Sequence, residues 1–176
     1  MSFRMFLLAG LLLFFEAFAR GQLPPSDQDV KAAYLLNFAR FTDWQNPGDA
    51  NRPLVIGVLG VDPFGEILEQ VIGRRLAKNR PITIRRYKNI QEVEACHILY
   101  ISASEKNRLS AILKYVSGQS VLTVSDIATF LDAGGCIGFI TFNQKVAFEV
   151  NLVAVQSSNL KIDAPLLQVA RTVRAR

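Results

Sequence analysis

The chain has 176 residues but only two cysteines, one histidine and one tryptophan. One histidine and two thiols fall short of the three or four closely spaced ligands that zinc needs, so no metal centre is expected. Two cysteines are also too few for a disulfide-stapled miniprotein. Gly-x-Gly-x-x-Gly, Gly-Lys-Ser/Thr and Gly-x-Ser-x-Gly are all missing, which removes the sequence grounds for a dinucleotide site, a phosphate loop or a hydrolase elbow. Beyond the first twenty residues, no uncharged apolar run approaches the ~18 residues of a membrane span. Glycine and proline are unexceptional at 11 and 7, and no repeat or low-complexity tract occurs. Collagen-like and disordered chains are thereby excluded. With 50% apolar and 20% charged residues, a folded globular domain is what remains, and a chain of this length buries about 68–70% of its unfolded surface.

What is present begins with an export pattern. Arg4 gives a positive start, residues 5–15 carry no charge, and Ala17-Phe18-Ala19 has the small-x-small spacing of a signal-peptidase site. As a helix that apolar run rises about 16 Å, far short of a ~30 Å hydrocarbon core, so it reads as a cleaved signal rather than an anchor. The expected division is a signal peptide over residues 1–19, cut after Ala19, a leader over 20–29, and one domain over 30–176. The mature chain is expected outside the cytoplasm and not inserted in the membrane. In an oxidising compartment, pairing of Cys96 with Cys136 is favoured over two buried free thiols, and closing that loop typically contributes ~2–4 kcal/mol.

The net charge of +5 is local. Arg74, Arg75, Lys78, Arg80, Arg85, Arg86 and Lys88 fall within one stretch that holds no acidic residue, and the rest of the mature chain sums to −2. Such a cluster suits steering of an acidic partner; the alternative is a solvated loop and strand end. Nucleic acid is disfavoured, because Tyr87 is the lone aromatic residue among these cations.

Periodicity predicts an α/β fold. A helix follows the leader, capped by Asp27 or Asp29, with Tyr34, Phe38 and Phe41 as core packing, and ends near Trp44 before the turn residues Asn46-Pro47-Gly48. Residues 54–59 read as a strand buried on both faces, and Asp62-Pro63 as the cap and first turn of a helix to Val71. Further strands are expected at 82–87, 98–101 and 121–124, with helices at 104–116 and 126–131 and a helical turn near 91–94. Residues 136–142 and 145–152 flank Asn143-Gln144 as an antiparallel hairpin, and brief helices follow at 153–158 and 164–173. Together these predict a mostly parallel central sheet with helices on both faces and the hairpin at one edge.

Chemistry is sparse. In the loop 60–65, Pro63 lacks an amide and Asp62 places negative charge where a phosphate would sit, so Asp62 reads as a helix cap. His97 is the sole candidate base and Cys96 the adjacent thiol, but neighbours on a strand face opposite ways. Ser102 and Ser104 lie nearby without the spatial roles of a triad. Glu66 with Glu69, and Glu92 with Glu94, read as solvated pairs.

The residues Lys31-Ala32-Ala33-Tyr34-Leu35-Leu36-Asn37-Phe38, running on to Thr42-Asp43-Trp44, resemble the opening signature of the YfiR-like family of exported proteins. Val55-Ile56-Gly57-Val58-Leu59-Gly60, Cys96-His97-Ile98-Leu99-Tyr100-Ile101, Gly134-Gly135, Phe148-Glu149-Val150-Asn151-Leu152 and Leu166-Leu167-Gln168-Val169-Ala170-Arg171 follow in the family's order. Gln45 departs from it, standing where the family often has Pro. The resemblance implies a periplasmic, dimeric, non-enzymatic α/β protein without cofactors, which represses a membrane-bound diguanylate cyclase by engaging its periplasmic sensor region. No binding residue carries over from these strings. The rival class is a small-ligand binding protein with a crevice at the strand ends near Gly60–Gly65 and Ser125–Asp126.

Overall fold

The computed structural model describes residues 24–44 and 52–175. The expected signal peptide with its cleavage site after Ala19, Gln45 and the Asn46-Pro47-Gly48 turn lie outside the described residues. Helix α1 (Asp27–Phe41) runs into strand β1 (Thr42–Trp44). Strand β2 (Leu54–Leu59), helix α2 (Ile67–Ile72), and strands β3 (Leu76–Ala77) and β4 (Arg80–Tyr87) follow. Then come β5 (Ile98–Ile101), α3 (Leu109–Val116), β6 (Leu122–Ser125), and the hairpin β7 (Ile137–Phe142) and β8 (Lys145–Asn151). The chain closes through α4 (Leu152–Ser157), β9 (Leu160–Ile162), α5 (Ala164–Val169) and β10 (Thr172–Arg174).

Among the described residues, eight strands form one sheet in the order β10-β8-β7-β6-β5-β2-β4-β3. From β4 to β7 the neighbours are parallel, as the alternation of strands and helices predicts. Every residue of β2 is buried because the sheet is covered on both faces. Leu54, Ile56 and Val58 join Ile98, Tyr100, Leu122 and Val124 in a core against α1, α2 and α4. Val55 and Leu59 join Leu99 and Ile101 in a second core against α3 and the turns that hold Ile127, Phe130 and Leu131. Period-two alternation thus sorts one apolar strand into two layers.

Helix α1 presents Ala32, Leu35, Leu36, Phe38 and Ala39 inward. Phe38 is fully buried, stacks on Phe139 with centroids 5.8 Å apart, and meets Phe148 edge-on at 5.1 Å. The helix cap is Ser26 rather than Asp27 or Asp29. Ser26 Oγ accepts from the Asp29 N–H at 3.2 Å and the Asp29 carboxylate accepts from the Ser26 N–H at 2.9 Å, a reciprocal capping box. The helix therefore starts inside the stretch expected as a leader.

Several local readings are corrected. Residues 126–127 are irregular and 128–131 form turns, not a helix: the Ile127 N–H donates to Ser125 Oγ at 3.1 Å and the Phe130 N–H to the Ile127 carbonyl, three residues back, at 2.9 Å. Residues 164–173 are a helix only to Val169; Ala170 is extended, and β10 pairs in parallel with β8, so the hairpin is not the outermost element. Strands β1 and β9 form a separate antiparallel pair that fastens the end of α1. The hairpin turn is as expected: Asn143 and Gln144 take φ of 48° and 60°, the left-handed pair that two-residue turns use. Gln144 carries a Cβ at a position suited to glycine, so Gln144→Gly is expected to raise stability by about 0.5–1 kcal/mol in urea unfolding.

Candidate partner-binding surface

The seven basic residues that the sequence groups together do not form one surface. On β4, Ile82 and Ile84 pack toward the first core and Arg86 follows the same alternation. Its Nε donates to Asp62 at 2.6 Å, Nη1 to Glu69 at 2.6 Å, and Nη2 to the Gly65 carbonyl at 2.6 Å. Arg86 is therefore a clamp between β4, the loop after β2, and α2. This hydrogen bond from Arg86 holds the Glu69 carboxyl below its ordinary value, and the two carboxylates raise that of Arg86. Glu69 is accordingly an ion-pair partner rather than a merely solvated acid. Asp62 is not a helix cap either: α2 begins at Ile67 after Glu66, while Asp62 Oδ1 accepts from the Phe64 N–H at 2.8 Å within its own turn.

Lys78 is paired with Asp43 and stands 3.8 Å from Asp163. Arg80 donates to the Arg52 carbonyl at 2.6 Å and brings Nη2 to 3.1 Å from His97 Nε2. Arg74, Arg75, Arg85 and Lys88 are exposed and enter no ion pair among the described residues. Arg85 lies on the opposite face of β4 from Arg86, so adjacent positions have different tasks. Alternation alone separates these two; their partners become visible only when α2 packs beside the strand.

His97 is buried and bound into the sheet. Its Nδ1 accepts from the Val55 N–H at 3.1 Å, its carbonyl accepts from Trp44 Nε1 at 3.2 Å, and the Trp44 ring meets it edge-on at 5.5 Å. It acts as a clasp joining β1, β2 and β4. Cys96 and Cys136 are both free and buried, which corrects the expected disulfide. Cys96 belongs to the second core with Tyr87 and Leu99, and Cys136 to the first with Phe148 and Val150. The sheet stands between those layers. Burial pushes the Cys96 thiol up to about 12 and raises Cys136 as well, so both remain protonated near neutrality. In the native protein, both thiols are expected to resist a neutral-pH alkylating reagent and both to react once guanidinium unfolds the chain. Intact mass should show two free thiols in each molecule.

The chain passes from β2 to β4 on one side and returns to β5 on the other. Ligands in open α/β sheets bind at this kind of switch point, beyond the strand ends. Here the gap is filled from within. Gly60 has φ 92°, and a Cβ there would meet Ser104 Oγ at 2.4 Å and Glu105 Oε1 at 2.8 Å. Ser104 Oγ accepts from the Val61 N–H at 3.0 Å, and the buried Glu105 pairs with Arg108 at 2.6 Å. The crevice expected near Gly60–Gly65 is thus occupied by side chains of the segment after β5. Its other half is open: a cavity of about 410 Å³ lies beside Lys31, Asp126 and Phe139, and Lys31 pairs with Asp126 at 2.8 Å. Tyr100 is pushed above its ordinary value by burial and by the negative Asp126. Among the described residues, no group of three or more His, Cys, Asp or Glu could hold a metal ion. No helix among them is long and apolar enough to cross a membrane.

This arrangement defines an α/β module with a switch point filled on its Gly60 side and open beside Asp126, and with an exposed basic margin. The YfiR/HmsC-like family model matches residues 28–171, and the chain belongs to that family, one of periplasmic regulators of diguanylate cyclases. No curated protein matches the sequence.

Proposed function

We propose that the mature chain, freed of residues 1–19 by cleavage after Ala19, binds the periplasmic sensor region of a membrane-bound diguanylate cyclase and represses it without chemistry of its own. The observation that carries this reading is the family match over the length of the folded chain. The mechanism is population shift: a binder that holds one conformation of the sensor more tightly biases the enzyme toward it by that difference in affinity. The exposed Arg74, Arg75, Arg85 and Lys88 support the reading as a polar rim that steers an acidic partner. The Ser104 and Glu105 side chains that fill the Gly60 side of the switch point and the clasped ring of His97 favour docking over catalysis. We assign the working form to a homodimer, as the family resemblance implies.

The test is recovery of the exported protein from detergent-solubilised membranes, with mass spectrometry of what accompanies it. A diguanylate cyclase in stoichiometric amount is expected; consistent recovery without any membrane sensor contradicts the proposal. The cavity beside Asp126 favours one second reading, a small-ligand binding protein, which a thermal-shift screen of metabolites distinguishes by saturable stabilisation.

A further inference from the structure

Strand β4 has an open outer edge. Strand β3 pairs only with Arg80 and Pro81, and beyond Pro81 no strand covers that edge among the described residues. Main-chain groups alternate sides along a strand. The Tyr87 carbonyl turns toward β2, where it accepts from the Gly60 N–H at 3.0 Å. Thr83 and Arg85 turn their main-chain groups the same way. Ile82, Ile84 and Arg86 therefore direct N–H and C=O outward, and an edge of this kind is a template for an added strand.

Charge decides which strand it takes. Arg75 immediately precedes Leu76, the last residue paired with β4, and bonds its N–H back to the Ile72 carbonyl at 2.9 Å; Arg74 stands in the turn before it, and both are exposed, as is Arg85 further along β4. Of the acidic groups near this margin, Asp62 and Glu69 are already held by Arg86, and Glu92 and Glu94 come after Lys88, past the end of the strand. Glu92 accepts from the Lys88 N–H at 3.1 Å. A second copy laid antiparallel on this edge would bring its own exposed Arg75 and Arg85 to a margin that already carries these cations, and like charges brought together across strands repel. An acidic strand meets attraction from Arg75 and Arg85, which enter no ion pair among the described residues.

We propose that the outer edge of β4 takes an acidic, extended segment of a partner protein as an additional strand. Ile82, Ile84 and Arg86 supply main-chain hydrogen bonds, and Arg74, Arg75 and Arg85 select for carboxylates. The inference rests on the regulator reading in that it names the surface a sensor would engage, but its test needs no sensor.

The probe is a synthetic strand-forming peptide of about ten residues alternating Glu with Val and Thr, long enough to span a strand of about five or six residues with room at both ends, beside a control with Lys for Glu. Amide exchange of the mature protein is followed by NMR. With the Glu peptide, the N–H groups of Ile82, Ile84 and Arg86 are expected to slow by about tenfold or more, while Thr83 and Arg85, already bonded to β2, change little. The Lys peptide leaves all of them unchanged, and the triple variant Arg74→Glu, Arg75→Glu, Arg85→Glu loses the response to the Glu peptide. Unaltered exchange with the Glu peptide, or an equal response to both peptides, overturns the inference. So does protection that grows with protein concentration in the absence of peptide, since a second copy would then hold the edge. A cyclase that binds without protecting these amides overturns the edge inference and leaves the regulator standing. Peptide protection without cyclase binding does the reverse.

Discussion

Arg86→Glu is expected to destabilise the protein, whereas Arg85→Glu one position earlier leaves stability within ~0.5 kcal/mol of the parent and changes association instead. Arg86 holds Asp62, Glu69 and the Gly65 carbonyl, and a glutamate there would add a third negative charge to a site that already has two. Hydrogen bonds to charged groups contribute about 1.5–3 kcal/mol, reduced where solvent screens them. The Arg86 side chain is 41% exposed, so a loss of about 2 kcal/mol is expected in urea unfolding. The effect has a pH dependence of known sign. The folded-state value of Glu69 is depressed below its ordinary 4.5, so its contribution is complete above pH 4.5 and fades as pH falls through the depressed value. The stability gap between the parent and Arg86→Gln should therefore close on acidification. For Arg85→Glu, association with an acidic partner should slow about threefold to tenfold at low salt and converge with the parent at high salt. Reversing both residues together would confuse a folding defect with a steering defect; the single variants keep them apart.

Phe38→Ala is expected to have the largest effect on stability, about 3–5 kcal/mol in denaturant unfolding. Phe38 is fully buried where α1 meets the β7–β8 hairpin, touching Tyr34, Phe139 and Phe148. Truncation removes the aromatic contacts that bind the first helix to the last hairpin, and the rigid sheet cannot collapse into the space. Phe41→Ala, at a partly buried neighbour, should lose less than half as much. Equal losses would place the centre of this cluster elsewhere.

The parts legible in the sequence were those in which a local pattern matches its environment. The uninterrupted apolar run of β2 announced a strand covered on both faces, and Asn143-Gln144 between alternating segments announced a hairpin. Elements governed by distant partners were not legible. Three-residue strands such as β1 and β9 have too little pattern to stand out, and β10 was hidden in apolar spacing that suits a helix until Ala170 becomes extended. The basic cluster was visible as composition, but its division into clamp, clasp and exposed margin depends on Asp43, Asp62, Glu69 and His97, which tertiary packing delivers. The thiols illustrate the same limit. Spacing permits a bridge between Cys96 and Cys136, and the sheet that separates them exists only after the strands have assembled.

The measurement that tests the central claim most directly is cyclic di-GMP synthesis by membranes that carry the cyclase with its periplasmic face accessible, before and after addition of the purified mature protein. The account predicts a saturable fall in synthesis, with Arg85→Glu needing higher concentrations at low salt. Synthesis that stays unchanged at saturating protein would contradict it.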